Sequence, residues 1–314
     1  MSQETIDKTY KIEAPARLTL SNIRGSVKIL PGADNTIHVT AVKHINNGDN
    51  DQTKIEITQT DTNHVSVQTN YRNGWINFPT RKPCRVEYTV RVPKACSLKL
   101  SGVSNATSIQ GVEGEMVFTT VSGPITLEDI SGSIKIDSVS GKIFGKQVAG
   151  PLALNTVSGK IFMHASYFPS IDGHTVSGKI SIQTPIVEGP YYFKSVSGDV
   201  DFIVPLDSTI SANLNSISGR IKTPFTPTSS HINGGNSRLE IQGGGIEVRV
   251  KSVSGNLYLK PSEETNNEEM SNSTAPNPDE HPSAEPLSTE SNIKILDRIA
   301  AGELSVDEAI EQIS

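Results

Sequence analysis

The sequence predicts an all-β chain: a parallel β-solenoid (β-helix) of about 18–21-residue coils, capped by an N-terminal β-rich region and followed by a small C-terminal helical hairpin. The first observation is a phrase, Val-Ser-Gly-Lys-Ile and its variants, whose glycine recurs at Gly123, Gly132, Gly141, Gly150, Gly159, Gly178, Gly198, Gly219 and Gly255. The first five are nine residues apart; the later gaps are 19, 20, 21 and 36. The second is that the positions two before and two after each glycine are apolar throughout, from Val121 and Ile125 to Val253 and Leu257. Such a repeat cannot bury its apolar side alone and must stack on its neighbours. The third is composition: 35 % hydrophobic and 5 % aromatic residues suit a thin core of small β-branched side chains.

Residues 1–100 form the expected N-terminal cap. Ile55-Glu56-Ile57 and Val65-Ser66-Val67 flank the turn residues Thr60 to Asn63 as a hairpin does, and Arg85 to Val92 alternates as a strand before Pro93. Residues 101–260 are the solenoid proper. Two nine-residue half-turns make one coil, each half-turn alternating with the period of a strand. Glycine supplies the corner, where the chain needs a positive φ or a close backbone approach. In this register the 36-residue gap holds two coils, the missing phrase being the degenerate Ser237-Arg238-Leu239-Glu240-Ile241. About nine coils at roughly 4.8 Å give a rod of about 40 Å.

Residues 261–290 carry eight acids and no Lys or Arg, with many Asn, Ser, Thr and Pro, the composition of a disordered linker. Residues 291–314 read as two short helices. Ile293, Leu296 and Ile299 share a face of the first, and Ile310 and Ile313 sit on the second behind the capping box Ser305-Val306-Asp307-Glu308. Helices of this size must dock on something, so these five residues mark an oligomerisation or partner-binding hook. The whole chain carries −6, the linker −8 and residues 291–314 −3, which leaves the remaining residues at +5.

Arg85 to Gly111, with Leu98-Lys99-Leu100-Ser101-Gly102 and the Val-Ser-Gly-x-Ile repeats behind it, resembles the bacterial β-strand-repeat "putative adhesin" family of unknown function. The segment Ile295 to Ala309 is similar to a short C-terminal helical module attached to many bacterial proteins, which implies oligomerisation. The family brings no catalytic residues, and its label implies surface attachment.

Several site chemistries can be weighed. The repeated serines (Ser122, Ser140, Ser158, Ser177 and their equivalents) have no His or Lys at a fixed offset, and a serine before a corner glycine satisfies turn backbone. The calcium-binding nonapeptide roll needs an aspartate in each repeat, yet the positions equivalent to Asp137 and Asp129 hold Lys146, Ala165 and Thr184. His164, Asp172 and His174 fall in one coil without zinc-like spacing, so no metal or other cofactor is expected. The residue after the glycine is Lys142, Lys160, Lys179, Asp199 and Arg220, a basic column suited to an anionic glycan or a membrane surface. Trp75 and Arg72 stand in an aromatic-basic loop that either contacts a ligand or plugs the solenoid end. A pI near 5.7 and the absence of a nucleic-acid fold motif argue against nucleic acid.

The expectation is a non-enzymatic, adhesin-like scaffold that self-associates through its C-terminal helices or binds a protein partner there. The alternative is a carbohydrate-binding or carbohydrate-cleaving β-helix. The N-terminal residues show no signal-peptide pattern and no stretch reads as a transmembrane helix. The expected location is cytoplasmic, with a peripheral place at the cell envelope as the alternative.

Overall fold

The computed structural model describes residues 2–71 and 82–262. The first part supplies β1 (Gln3–Lys11), β2 (Ala16–Pro31), β3 (Thr36–His44), β4 (Thr53–Asp61), β5 (His64–Tyr71), β6 (Arg85–Val92) and β7 (Cys96–Gln110). The nine-residue repeats follow as β8 (Met116–Thr120), β9 (Ile125–Ser131), β10 (Ile134–Ser138), β11 (Ile143–Ala149), β12 (Leu152–Thr156) and β13 (Ile161–His164). Longer coils give β14 (Ile171–Thr175), β15 (Ile180–Gln183), β16 (Tyr191–Ser195) and β17 (Val200–Val204). The chain finishes with β18 (Ile210–Ser216), β19 (Ile221–Lys222), β20 (Pro227–Asn233), β21 (Asn236–Ile241), β22 (Ile246–Ser252) and β23 (Leu257–Pro261).

Each coil contributes one strand to each of two faces. The first face stacks β4, β5, the start of β2, the start of β7, then β8, β10, β12, β14, β16, β22, β18, β21 and β20. The second stacks β1, β3, β6, the end of β2, the end of β7, then β9, β11, β13, β15, β17, β23 and β19. Parallel pairing therefore begins in residues 16–31, where β2 lies beside β7 along most of its length. Antiparallel strands close both ends: β1, β3 and β4 at one, β20 and β21 at the other. They cover edges that would otherwise template further strand addition.

The core lies between the faces. Ile125, Ile143, Ile161, Ile180, Val200 and Leu257 form an unbroken inward column, and Ile134, Leu152, Ile171, Tyr191 and Val248 form its counterpart. All are buried in one apolar cluster. Each fully buried side chain of this size is worth about 1.5–3 kcal/mol, and the column repeats it at every rung.

The Val-Ser-Gly corner has two separate physical causes. Its glycines do not take a positive φ; they lie against the rung beneath. A Cβ on Gly178 would sit 2.0 Å from the Gly159 carbonyl oxygen, and one on Gly255 2.2 Å from that of Gly198. Positive φ belongs to the opposite corner, at Gly132 and Gly150. Three residues before each corner glycine stands a hydroxyl that the apolar pattern does not reveal. Ser138, Thr156 and Thr175 accept hydrogen bonds from the N–H of Gly141, Gly159 and Gly178 at 3.1, 3.0 and 2.8 Å. The serines before the glycines donate to the rung beneath, Ser140 to the Val121 carbonyl at 3.1 Å and Ser122 to that of Val103 at 3.1 Å. This is the backbone-satisfying role expected of them, and it uses up the hydroxyl protons.

The last coils do not stack in chain order. Strand β16 pairs not with β18 but with β22, and β22 then pairs with β18. On the other face β23 lies between β17 and β19. The final coil is thus inserted between two earlier ones. Residues 237–241, expected as a degenerate coil, instead form the antiparallel strand β21 of the terminal hairpin. The 36-residue gap contains a hairpin excursion and a return, not two successive coils. The physical reason is side-chain volume and polarity: Asn236, Ser237 and Arg238 cannot line a rung on both sides, whereas Val248 and Val250 are buried between Tyr191 and Phe193 on one side and Ala212 and Leu214 on the other.

Candidate functional site

The basic column occupies the corner between the two faces. Backbone hydrogen bonds fix its order: Ile143 N–H donates to the Lys160 carbonyl, Ile161 to Lys179, Ile180 to Asp199, Val200 to Asn256 and Leu257 to Arg220. Lys142, Lys160 and Lys179 are therefore successive rungs, as the register predicts. Arg220 is not next to Asp199, because the inserted coil places Asn256 between them. Asn256 donates its backbone and side-chain N–H groups to Asp199 Oδ1 at 2.8 and 3.0 Å, and its own Oδ1 accepts the Arg220 N–H at 3.1 Å.

The strands behind this corner carry an outward row in register: Thr126, Phe144, Phe162, Ser181, Asp201, Tyr258 and Lys222. At one end Asp201 is buried under two ammonium groups, Lys179 at 3.0 Å and Lys260 at 2.7 Å. Lys222 and Lys260 also lie over the Tyr258 ring, 5.0 and 5.3 Å from its centroid. At that end the charges are partly compensated.

At the other end they are not. Lys142 lies over the Phe162 ring at 5.7 Å, and Phe144 beside it is an exposed large apolar side chain. Among the described residues Lys142, Lys146 and Lys160 form no ion pair, and Lys142 and Lys160 are exposed. Like charges on adjacent rungs repel unless an anion sits between them. The arrangement is a cationic strip edged with aromatic surface, which can hold phosphate, sulfate or carboxylate groups but has no nucleophile or acid–base pair directed at them.

The remaining candidates separate. His174 and Asp172 contact each other at 2.9 Å on the first face, whereas His164 lies on the second face in register with Lys146. Among the described residues no group of three metal-ligating side chains exists. Trp75 and Arg72, and the five apolar residues Ile293, Leu296, Ile299, Ile310 and Ile313, lie outside the described residues. Both cysteines are buried and free, and burial pushes the Cys96 thiol up to about 12, far from a reactive thiolate. No helix among the described residues is long and apolar enough to cross a membrane.

The family model described as Toastrack DUF4097 matches residues 16–260. No curated protein matches the chain. Among solved structures, a "putative adhesin" from Parabacteroides merdae is 12 % identical over 83 % of this chain and 97 % of its own, with a TM-score of 0.44. A "putative adhesin" from Bacteroides fragilis is 11 % identical over 82 % of this chain and 98 % of its own, with a TM-score of 0.42. A "putative cell adhesion protein" from Clostridium sporogenes is 12 % identical over 82 % of this chain and its full length, with a TM-score of 0.26.

Proposed function

The chain belongs to the Toastrack DUF4097 family, and we propose that it is a non-enzymatic, adhesin-like scaffold whose lysine strip docks on polyanionic surfaces. One observation carries this reading: Lys142 and Lys160, on successive rungs, and Lys146, in register with Glu128, make no ion pair among the described residues, beside the exposed Phe144 and the half-buried Phe162. A rod that sets Lys179 and Lys260 against the buried Asp201, yet leaves these three lysines without an ion pair, keeps charge available for an external anion. The shared chemistry is that of an acidic glycan or an anionic lipid headgroup, and either suits a peripheral place at the cell envelope.

The test is retention on heparin resin and on vesicles containing phosphatidylserine, at low and high salt. The intact protein is expected to bind one or both and to be released by salt, because screening acts over about 10 Å at 0.1 M. The triple variant Lys142→Gln, Lys146→Gln, Lys160→Gln is expected to lose retention while keeping its thermal transition. Preference for heparin over vesicles assigns the glycan source, and the reverse assigns lipid. Failure of the intact protein to bind either support overturns the proposal.

A further inference from the structure

The corner carries a second row, on the opposite side of the glycines from the lysines. Val103, Val121, Val139, Val157, Val176, Val196, Val253 and Ile217 follow one another, each rung tied to the next by the serine N–H and a valine carbonyl. These residues belong to the apolar set that a repeat pattern assigns to burial, yet the corner turns them outward. Val139 is only 7 % exposed and Val121, Val157 and Val176 are half-buried, while Val103 at the other end of the row is 45 % exposed. At the C-terminal end the cover fails: Val196, Val253 and Ile217 are 37, 47 and 83 % exposed on three consecutive rungs.

Cations stand on one side of this patch, and on the other side of the glycines the same three rungs carry Asp199, Asn256 and Arg220. Lys194 and Lys251 are exposed, stand in direct register on β16 and β22, and have no ion pair among the described residues. Arg220 lies on the far side of the glycines, one residue past Gly219. An apolar strip beside a pair of lysines in register, with Arg220 at its far end, fits an amphipathic, acidic segment better than a second copy of the same corner.

We propose that residues 291–314 of the same chain occupy this patch, with Ile293, Leu296 and Ile299 against Val196, Val253 and Ile217 and the neighbouring acids against Lys194, Lys251 and Arg220. The segment carries five acids and two basic residues, and its apolar side chains recur at helical spacing. Geometry permits the contact. Val253 lies in the coil from which the chain leaves, at Ser262, whose N–H is held by the Val204 carbonyl. The exit is one strand of five residues from the corner, roughly 17 Å. A random coil of 28 residues, the number between Ser262 and Ser291, spans roughly 30 Å, which would hold the segment near the patch at an effective concentration around millimolar.

The test places a single reactive thiol beside the patch without altering it. Ser218→Cys is exposed and adjacent to Ile217, while the native Cys84 and Cys96 are buried. Maleimide modification of full-length Ser218→Cys is compared with the same chain carrying Leu296→Asp and Ile299→Asp. Modification is expected to be several-fold faster in the triple variant, whereas a control thiol at Ser230→Cys, exposed on β20, reacts equally in both backgrounds. Equal rates at Ser218→Cys overturn the proposal. Protection that grows with protein concentration also overturns it, by assigning the cover to a second molecule.

Discussion

The insertion of the last coil can be tested by a covalent link between residues that are distant in sequence. Tyr192 on β16 and Arg249 on β22 are direct outward partners in a parallel ladder. Neighbouring strands lie about 4.8 Å apart, inside the Cα separation of about 4.4–6.8 Å that a disulfide accepts. The pair Tyr192→Cys and Arg249→Cys is expected to oxidise readily and close a loop of about 57 residues. The chain-entropy relation puts the resulting stabilisation at about 4 kcal/mol, or roughly 10 °C in Tm for a domain of this size. Losing the ion pair between Arg249 and Glu247 (2.8 Å) subtracts little, since exposed pairs are worth at most about 1 kcal/mol. The decisive control is Tyr192→Cys with Asn213→Cys. Stacking in chain order makes those two residues partners. Here Asn213 pairs with Arg249, so it lies two rungs from Tyr192, about 10 Å away and beyond disulfide reach. Mass spectrometry after mild oxidation, with thermal unfolding of each pair, reads the outcome. Ready closure of 192–213 together with failure of 192–249 would refute the inserted-coil topology.

Three further predictions concern the core and its corners. Ile161→Asp places a carboxylate between Ile143 and Ile180 at a fully buried position and is expected to cost several kcal/mol in urea unfolding; an unchanged midpoint contradicts the inward column. Gly178→Ala drives a Cβ onto the Gly159 carbonyl oxygen and within 2.9 Å of Thr175 Oγ1, at an expected cost of about 1–3 kcal/mol, which amide hydrogen exchange should localise to that corner. Burial pushes the Tyr88 hydroxyl up to about 12 against a hydrogen bond with Thr69 that lowers it, and burial likewise holds the Cys96 thiol near 12. Both groups stay neutral in the fold while the unfolded chain ionises from about pH 9, so stability is full below that pH. It then falls by up to about 1.4 kcal/mol per pH unit for each group until about 12. Tyr88→Phe should flatten the phenol's share of that slope, and a profile that rises with pH would contradict the sign.

The repeat and its core were legible because alternation and corner chemistry are local. Ile143, Ile161 and Ile180 could be placed in one column from spacing alone, and pairing strand by strand bears this out. Which coil sits on which was not legible. Every coil presents the same Val-Ser-Gly face, so Gly255 stacks on Gly198 as readily as Gly219 does, and only the polar Asn236–Arg238 stretch hinted at an interruption. The lysine column was found for Lys142, Lys160 and Lys179; the aromatic row behind it was missed because it exists only across strands. The valine ridge was read as ordinary apolar pattern, since period-two alternation says nothing of a residue's direction once the strand has turned a corner.

The inserted coil also carries a consequence for synthesis. A chain emerging from its N-terminus can lay down rung after rung from β5 as far as β17, each new strand resting on one already made. The next strand, β18, leaves the ribosome before its own neighbour exists, because β22 is still some thirty residues away. Until then the edge of β16 is bare, and β18 can occupy it only in a register that must later be vacated. The rod is therefore closed by its last-made coil, which enters between parts already present. Completion of the terminus becomes a checkpoint: a chain truncated before residue 246 keeps most of its coils but lacks the rung that seats its own cap.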